Sequence, residues 1–170
     1  MNWYAIEKEY INYLKKYDKL ISDVEYPGRL KCFIGIVLVS DNGINYFAPL
    51  TSYKSKFESM QNNIDFYKII DNKGKIYGAV NINNMFPVPN NIYTEITYEN
   101  LDKFREFKNT RDKKSYWKLL NKEMSLIKEE VLINNTKELI TIVKKFPNSR
   151  IAKRCCKFSL LEEKCMQYKK

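Results

Sequence analysis

The longest apolar stretch of the chain lies in its first third and predicts a central pair of β-strands. Nearly all of residues 32–39 are apolar, and most are β-branched or aromatic, which is typical of a buried strand. Residues 41–43, Asp-Asn-Gly, have the composition of a tight hairpin turn, and the apolar pattern resumes over residues 44–50. Pro49 lacks an amide hydrogen, so we expect strand pairing to weaken where Thr51 begins.

Similar patterns elsewhere extend this sheet. Residues 1–6 have the composition of a short strand, and residues 66–70 and 75–82 predict a second hairpin across an Asp-Asn-Lys-Gly turn. Residues 92–97 predict one more short strand. The sequence therefore predicts an antiparallel sheet of about five or six strands.

Apolar side chains at spacings of three and four predict helices around the sheet. One amphipathic helix, containing Tyr10, follows the first strand, and the C-terminal half is mainly helical. There we expect a helix from about Thr110, a second from Thr136 as its N-cap to residue 146, and a terminal helix over residues 158–168. The stripe of the first of these three consists of Trp117, Leu120, Met124, Ile127 and Val131. The expected fold class is α+β, with a sheet flanked by helices in one domain of residues 1–170.

The segment after the central hairpin has two interpretations. If residues 57–68 begin with helical turns, Thr51 or Ser52 lies at a helix N-terminus, where a hydroxyl caps the helix and free amides attract a phosphate. If the segment is extended, Ser52, Lys54 and Lys56 lie on one side of it. Both conformations predict an anion pocket.

Composition narrows the class of protein. With 170 residues and 44% hydrophobic content, the chain is large enough for a packed core. It has no apolar run long enough to cross a bilayer and no secretory signal, so we expect a cytoplasmic protein. The spacing of the four cysteines suits neither a zinc site nor a disulfide framework, and we expect buried thiols.

Charge predicts an acidic partner. The net charge is +10, and residues 137–170 alone hold 10 basic and 3 acidic side chains. RNA, DNA and an anionic membrane surface are the three candidates, and the many tyrosines favour a nucleic acid. The segment 148–157 carries four cations and no acid, including Arg150, Lys153 and Arg154, which suits contacts to an RNA backbone.

The chain has no histidine, which excludes the Ser-His-Asp, Cys-His and two-histidine arrangements. It also has no Walker sequence, and its carboxylates do not cluster as in a two-metal nuclease. Lysines, hydroxyls and tyrosines remain. Such a set suits RNA, because the 2′-hydroxyl of RNA can itself attack the adjacent phosphorus. Tyr26, Arg29 and Lys31, just before the first central strand, suit a phosphate and a stacked base.

Four sequence motifs resemble the ToxN/AbiQ family. They are FIGIVL at 33–38, YFAPLTSYKSK at 46–56, INNMFPV at 82–88 and RCCKF...LEEKC at 154–165. The resemblance implies a MazF-like toxin architecture and a metal-independent, cofactor-free endoribonuclease that leaves a 2′,3′-cyclic phosphate and a 5′-hydroxyl. It also implies a type III toxin–antitoxin or phage abortive-infection system, with cellular or phage RNA as substrate. A small repeated pseudoknot RNA would then be processed by the toxin, inhibit it and join it in closed protein–RNA oligomers.

Site residues follow from the same resemblance. It implies that Lys31, Thr51, Ser52 and Lys54 are catalytic. Our hypothesis is that the two lysines bind the scissile phosphate, that one of them acts as base with a lowered pKa, and that the two hydroxyls donate to non-bridging oxygens. RNA contacts are expected at Tyr10, Tyr26, Arg29, Lys56, Tyr116, Arg150, Lys153 and Arg154.

Two other functions remain open at this point. A non-catalytic RNA-binding module would use the same cations as backbone contacts and Thr51 and Ser52 as helix caps. A peripheral membrane protein ranks third, because no exposed apolar helical face is evident.

Overall fold

The computed structural model describes residues 1–22, 31–36 and 45–169, and they form an antiparallel sheet flanked by four helices. The predicted turn at 41–43 and the candidates Tyr26 and Arg29 lie outside the described residues. The strands are β1 (Trp3–Ile6), β2 (Phe33–Ile36), β3 (Asn45–Ser52), β4 (Tyr67–Ile70), β5 (Ile76–Val80), β6 (Phe86–Val88) and β7 (Tyr93–Glu95). Their order is β4-β5-β3-β2-β1-β7, with β6 paired to β3.

Strand β3 is the centre of the sheet, and its two halves have different neighbours along one edge. Strand β2 pairs with it in a register from Phe33 opposite Pro49 to Ile36 opposite Tyr46. On the other edge, β6 pairs with its first half and β5 with its last three residues. A 3₁₀ turn, Ile82–Asn84, links β5 to β6 at the point where the neighbour changes. This turn therefore borders the middle of the central strand.

The helices are α1 (Lys8–Lys15), α2 (Thr110–Ser125), α3 (Glu129–Lys145) and α4 (Phe158–Gln167). Helix α4 packs against β6, α1 and α3. The core between sheet and helices is strongly aromatic, since Tyr46, Phe47 and Phe86 are all almost fully buried. The predicted α+β class, with an antiparallel sheet and a helical C-terminal half, is confirmed, and the sheet has one strand more than expected.

The boundary between α2 and α3 was predicted in the wrong place. Helix α3 begins at Glu129, so Thr136 is not an N-cap but a buried residue within the helix. The hydroxyl of Tyr67 accepts a 2.9 Å hydrogen bond from the amide of Lys128, at the break between the helices. A contact from a distant strand sets this boundary. Val131 lies beyond the break and is 41% exposed, so it does not belong to the predicted core stripe.

All four cysteines are buried free thiols. Burial raises the pKa of Cys32 to about 12, which keeps this thiol protonated and unreactive. Within the described residues, none of the helices has the length and apolar content needed to cross a membrane.

Candidate active site

The end of β3 brings Thr51 and Lys31 together. The amide of Leu50 donates a 2.9 Å hydrogen bond to the carbonyl oxygen of Cys32, which continues the β2–β3 pairing beyond Phe33. One further step of the same antiparallel register places Lys31 opposite Thr51. Residues that are directly opposite in an antiparallel pair project from the same face of the sheet.

Lys54 joins this pair. Its backbone is extended, with φ −135° and ψ 142°, so the chain continues in the direction of β3 after Ser52. Burial, and then the positive charge of Lys54, lower the pKa of Lys31 to about 8. The strand register and the extended chain after Ser52 bring Lys31 and Lys54 to the same strand end. Three of the four predicted catalytic residues therefore meet at one place.

A cleft of about 480 Å³ opens beside this cluster. Its lining includes Thr51, Lys54, Lys56, Asn81 and Arg154. The volume lies within the range of ligand sites in proteins. Three cations and a hydroxyl among its lining residues make it suitable for a phosphate ester.

Ser52 is placed differently. It is exposed at the last position of β3, opposite Gly78, and it is not among the described residues that line the cleft. Side chains alternate along a strand, so Thr51 and Ser52 project from opposite faces of the sheet. Both hydroxyls lie at the strand end, but only Thr51 opens into the cleft.

The close approach of β5 fixes this strand end. A Cβ added to Gly78 would lie 2.6 Å from the carbonyl oxygen of Thr51, which is shorter than any normal contact. A side chain at position 78 would therefore force the two strands apart.

The helix-cap interpretation of the hydroxyls was wrong. Strand β3 continues through Ser52, and the short 3₁₀ turn that follows spans Ser55–Phe57. Lys54 occupies the position before this turn and makes no side-chain capping bond. The backbone is extended as far as Lys54, but Ser52, Lys54 and Lys56 do not share one side as the extended interpretation predicted. Lys54 and Lys56 line the cleft, whereas Ser52 is not among the described residues that do.

Three asparagines next to the cleft have two different roles. The amide nitrogens of Asn83 and Asn84 donate to the carbonyl oxygens of Arg154 and Leu20, at 3.0 and 2.8 Å. These two side chains therefore bind backbone oxygens of distant segments. Asn81 differs, because its Nδ2 donates a 2.7 Å hydrogen bond to Oγ1 of Thr51. No local pattern predicts this contact, since it joins residues thirty positions apart.

The basic segment 148–157 lies at the other end of the cleft. Nε of Arg154 pairs with the carboxylate of Asp65 at 2.6 Å, and both residues line the cleft. Arg150 and Lys153 are exposed on the same segment. The segment thus adjoins the candidate active site, which its position in the sequence did not indicate.

The two aromatic candidates are occupied by packing. Tyr10 is fully buried and its hydroxyl donates a 2.6 Å bond to the carbonyl oxygen of Pro87, so its predicted RNA contact is wrong in this structure. Tyr116 is half-buried, and the guanidinium of Arg105 lies 4.1 Å from the centre of its ring. Its hydroxyl is 3.7 Å from the sulfur of Cys32. The ring face covered by Arg105 is not open to a base.

Glu123 is a buried carboxyl group that sequence reasoning missed. It is 3% exposed, and its Oε1 lies 3.6 Å from the position of a Cβ on Gly78. Burial raises the pKa of Glu123 to about 7. Because Gly78 is opposite Ser52, this carboxyl lies on the face of the sheet away from the cleft. Across the described part of the chain, no three His, Cys, Asp or Glu side chains come together as a metal site would require.

An antiparallel sheet with a basic cleft, and with lysines and a hydroxyl at the end of its central strand, gives this α+β protein a site suited to a phosphate ester. The sequence matches the family Toxin ToxN, type III toxin-antitoxin system, over residues 2–166. The chain belongs to this family, and its class is that of the endoribonuclease toxins.

Relatives and solved structures agree with this assignment. The chain is 30% identical over 174 residues to the endoribonuclease ToxN of Bacillus thuringiensis subsp. kurstaki, covering 98% of this chain and 84% of the relative. It is 27% identical to the endoribonuclease AbiQ of Lactococcus lactis subsp. lactis over 179 residues, covering 100% of this chain and 90% of that one. A protein of a bacterial antiviral system regulated by a processed non-coding RNA superposes with a TM-score of 0.82, at 28% identity and full coverage of both chains. A type III toxin–antitoxin structure with selective toxin inhibition by a non-coding RNA pseudoknot has a TM-score of 0.79, at 26% identity over 98% of this chain and 96% of that one.

Proposed function

We propose that this toxin cleaves RNA in the cytoplasm, as a single domain, without a metal ion or cofactor. The 2′-hydroxyl attacks the adjacent phosphorus, the bond to the 5′-oxygen breaks, and the products carry a 2′,3′-cyclic phosphate and a 5′-hydroxyl. The observation that supports this is that Thr51 and Lys54 line a basic cleft at the strand end to which the register also brings Lys31. RNA supplies its own nucleophile, so the protein needs only to position it, move protons and stabilise charge.

Lys31 is our candidate for the base. Burial and the neighbouring ammonium of Lys54 lower the pKa of Lys31 to about 8, so part of the population is neutral near physiological pH. A base is most effective when its pKa lies close to the working pH. Neutral Lys31 takes the proton of the 2′-hydroxyl, exposed Lys54 holds the scissile phosphate, and the departing 5′-oxygen takes a proton from water.

The hydroxyls stabilise the charge that develops on phosphorus. Thr51 lines the cleft and donates to a non-bridging oxygen. Ser52 lies at the same strand end on the other face, and we assign it the second donor to a phosphate that lies across the end of the strand. Lys56 and Arg154 contact flanking phosphates along the cleft.

An antitoxin RNA completes the proposal. A structural relative is inhibited by a non-coding RNA pseudoknot and another is regulated by a processed non-coding RNA. We propose that a repeated pseudoknot RNA is processed by this toxin and then blocks its cleft, in a closed protein–RNA oligomer. The exposed Arg150 and Lys153 would hold its backbone, close to the cleft that it blocks.

The test is incubation of the purified protein with long RNA in excess EDTA. We expect discrete fragments with 5′-hydroxyl and cyclic phosphate ends, and intact RNA with a Lys31→Ala variant that unfolds at the wild-type temperature. Loss of cleavage in EDTA that added Mg²⁺ restores would contradict the metal-independent mechanism. Binding without cleavage would leave the chain an RNA-binding module.

A further inference from the structure

Asn81 is held in place by its own backbone. Its amide donates a 3.1 Å hydrogen bond to the carbonyl oxygen of Pro49, and its carbonyl accepts a 3.2 Å bond from the amide of Asn84. The first bond ties Asn81 to β3, and the second ties it to the 3₁₀ turn that follows. These two bonds fix the backbone of Asn81, from which its half-buried side chain extends along the wall of the cleft.

The contact of Asn81 with Thr51 has a direction. Nδ2 of Asn81 donates to Oγ1 of Thr51 at 2.7 Å, a short bond for a neutral amide. A threonine hydroxyl has one proton to donate and two lone pairs to accept with. When an amide N–H occupies one lone pair, the hydroxyl proton must point away from Asn81. Thr51 opens into the cleft, so that is where its proton has room to point.

We propose that Asn81 is a positioning residue for cleavage, which holds the Thr51 hydroxyl with its proton directed at a non-bridging oxygen of the scissile phosphate. This inference rests on the proposed function. Asn81 itself does not touch the reacting atoms. Its contribution is to remove the rotation of the hydroxyl, so that the donor is aligned before the phosphorane charge develops.

The inference predicts that Asn81 acts only through Thr51. In single-turnover assays, Asn81→Ala should lower the cleavage rate constant by about tenfold, which corresponds to one ordinary hydrogen bond, and leave the affinity for RNA nearly unchanged. Thr51→Ala should lower it further, and the double variant should be no slower than Thr51→Ala alone. Such non-additivity is the mark of two groups that work as one unit.

The isosteric variant Asn81→Asp tests the direction of the hydrogen bond. Aspartate fits the same space but cannot donate, so it accepts the hydroxyl proton and turns it away from the cleft. We expect this variant to fold normally and to cleave at least as slowly as Asn81→Ala. A wild-type rate in Asn81→Asp would show that the hydroxyl already donates to position 81, and would overturn the inference.

Asn100→Ala is the matched control. Asn100 also donates from Nδ2, at 2.7 Å, but its acceptor is the backbone oxygen of Glu95, the last residue of the outermost strand β7. The Asn100→Ala variant should cleave RNA at the wild-type rate.

Two results would overturn the inference while the proposed function stands. One is an Asn81→Ala variant that cleaves normally when Thr51→Ala is slow. The other is that Asn81→Ala lowers the cleavage rate by the same factor in the wild type and in Thr51→Ala. A merely structural role would slow cleavage in both backgrounds alike. If instead neither the wild type nor any variant cleaves RNA, it is the proposed function that fails.

Discussion

The two faces of the sheet at the end of β3 differ in chemistry although they share a strand. On the cleft face, Lys31 and Thr51 stand beside cations that have few acidic partners. On the helix face, Cys32 and Glu123 are enclosed by α2, and burial raises the pKa of both groups. The cleft face carries the exposed cations Lys54 and Lys56 beside the partly buried Lys31, whereas burial on the helix face favours the neutral forms of Cys32 and Glu123. We therefore assign the chemistry to the cleft face, whereas the helix face packs the strand against α2.

The largest effect is expected at Lys31. Lys31→Arg keeps a cation at the strand end but removes the base, because arginine does not lose its proton in proteins. We expect the single-turnover rate to fall by about 10²- to 10⁴-fold, the usual contribution of a general base. If Lys31→Arg cleaves within a few-fold of the wild type, Lys31 acts only as a charge.

The next largest effects are expected when the hydroxyl of Thr51 or of Ser52 is removed. Thr51→Ala should lower the rate by about 10²- to 10³-fold, as for the loss of one donor to a developing oxyanion. Ser52→Ala should cost a similar factor if the phosphate lies across the strand end. Thermal unfolding of both variants shows whether they are folded. A wild-type rate for Ser52→Ala would confine the chemistry to the cleft face.

On the helix face, we expect a substitution of Glu123 to change the free energy of unfolding. Glu123 has a pKa of about 7 in the folded protein and an ordinary value of 4.5. The folded state therefore favours the protonated form, and the resulting stability is complete below the ordinary pKa and lost as the pH rises through 7. Glu123→Gln is neutral at every pH, so it should be more stable than the wild type by roughly 2–3 kcal/mol at about pH 8 and nearly equal at about pH 4. Equal unfolding curves at both pH values would show that the carboxyl is not desolvated.

The smallest effect is expected on the basic segment. Reversing Arg150 and Lys153 to glutamate should flatten the plot of log affinity for the antitoxin RNA against log salt by about one unit per residue. Cleavage of long RNA by the free toxin should change little. Lys73→Glu, on the exposed β4–β5 turn, is the control. An unchanged slope would place the RNA interface elsewhere.

The sequence predicted most of the fold because its signals were local. The β4–β5 hairpin and α4 were found from period and turn residues, and the α+β class followed from them. The start of α3 was missed because a contact from Tyr67, about sixty residues away, determines it. Local patterns carry no information about such contacts.

The residues of the candidate site also fall into two groups, those that the sequence predicted and those whose contacts depend on the three-dimensional fold. Thr51 and Lys54 are close in sequence and were predicted together, and family resemblance added Lys31. The contact of Asn81 with Thr51 and the burial of Glu123 behind the sheet were not predicted, because they arise only through strand pairing and helix packing. Tyr10 was placed at the site because the family resemblance implies an aromatic residue of this helix near the cleft, whereas its burial is visible only in three dimensions.

The most direct test of the central claim is the pH dependence of single-turnover cleavage in EDTA, for the wild type and for Lys54→Ala. The wild-type rate should rise with pH and level off near the pKa of Lys31, about 8. Because the charge of Lys54 helps to lower that pKa, its removal should move the inflection to higher pH, even though the overall rate falls. A rate that is flat across this range, or an inflection that stays in place without Lys54, would contradict the account.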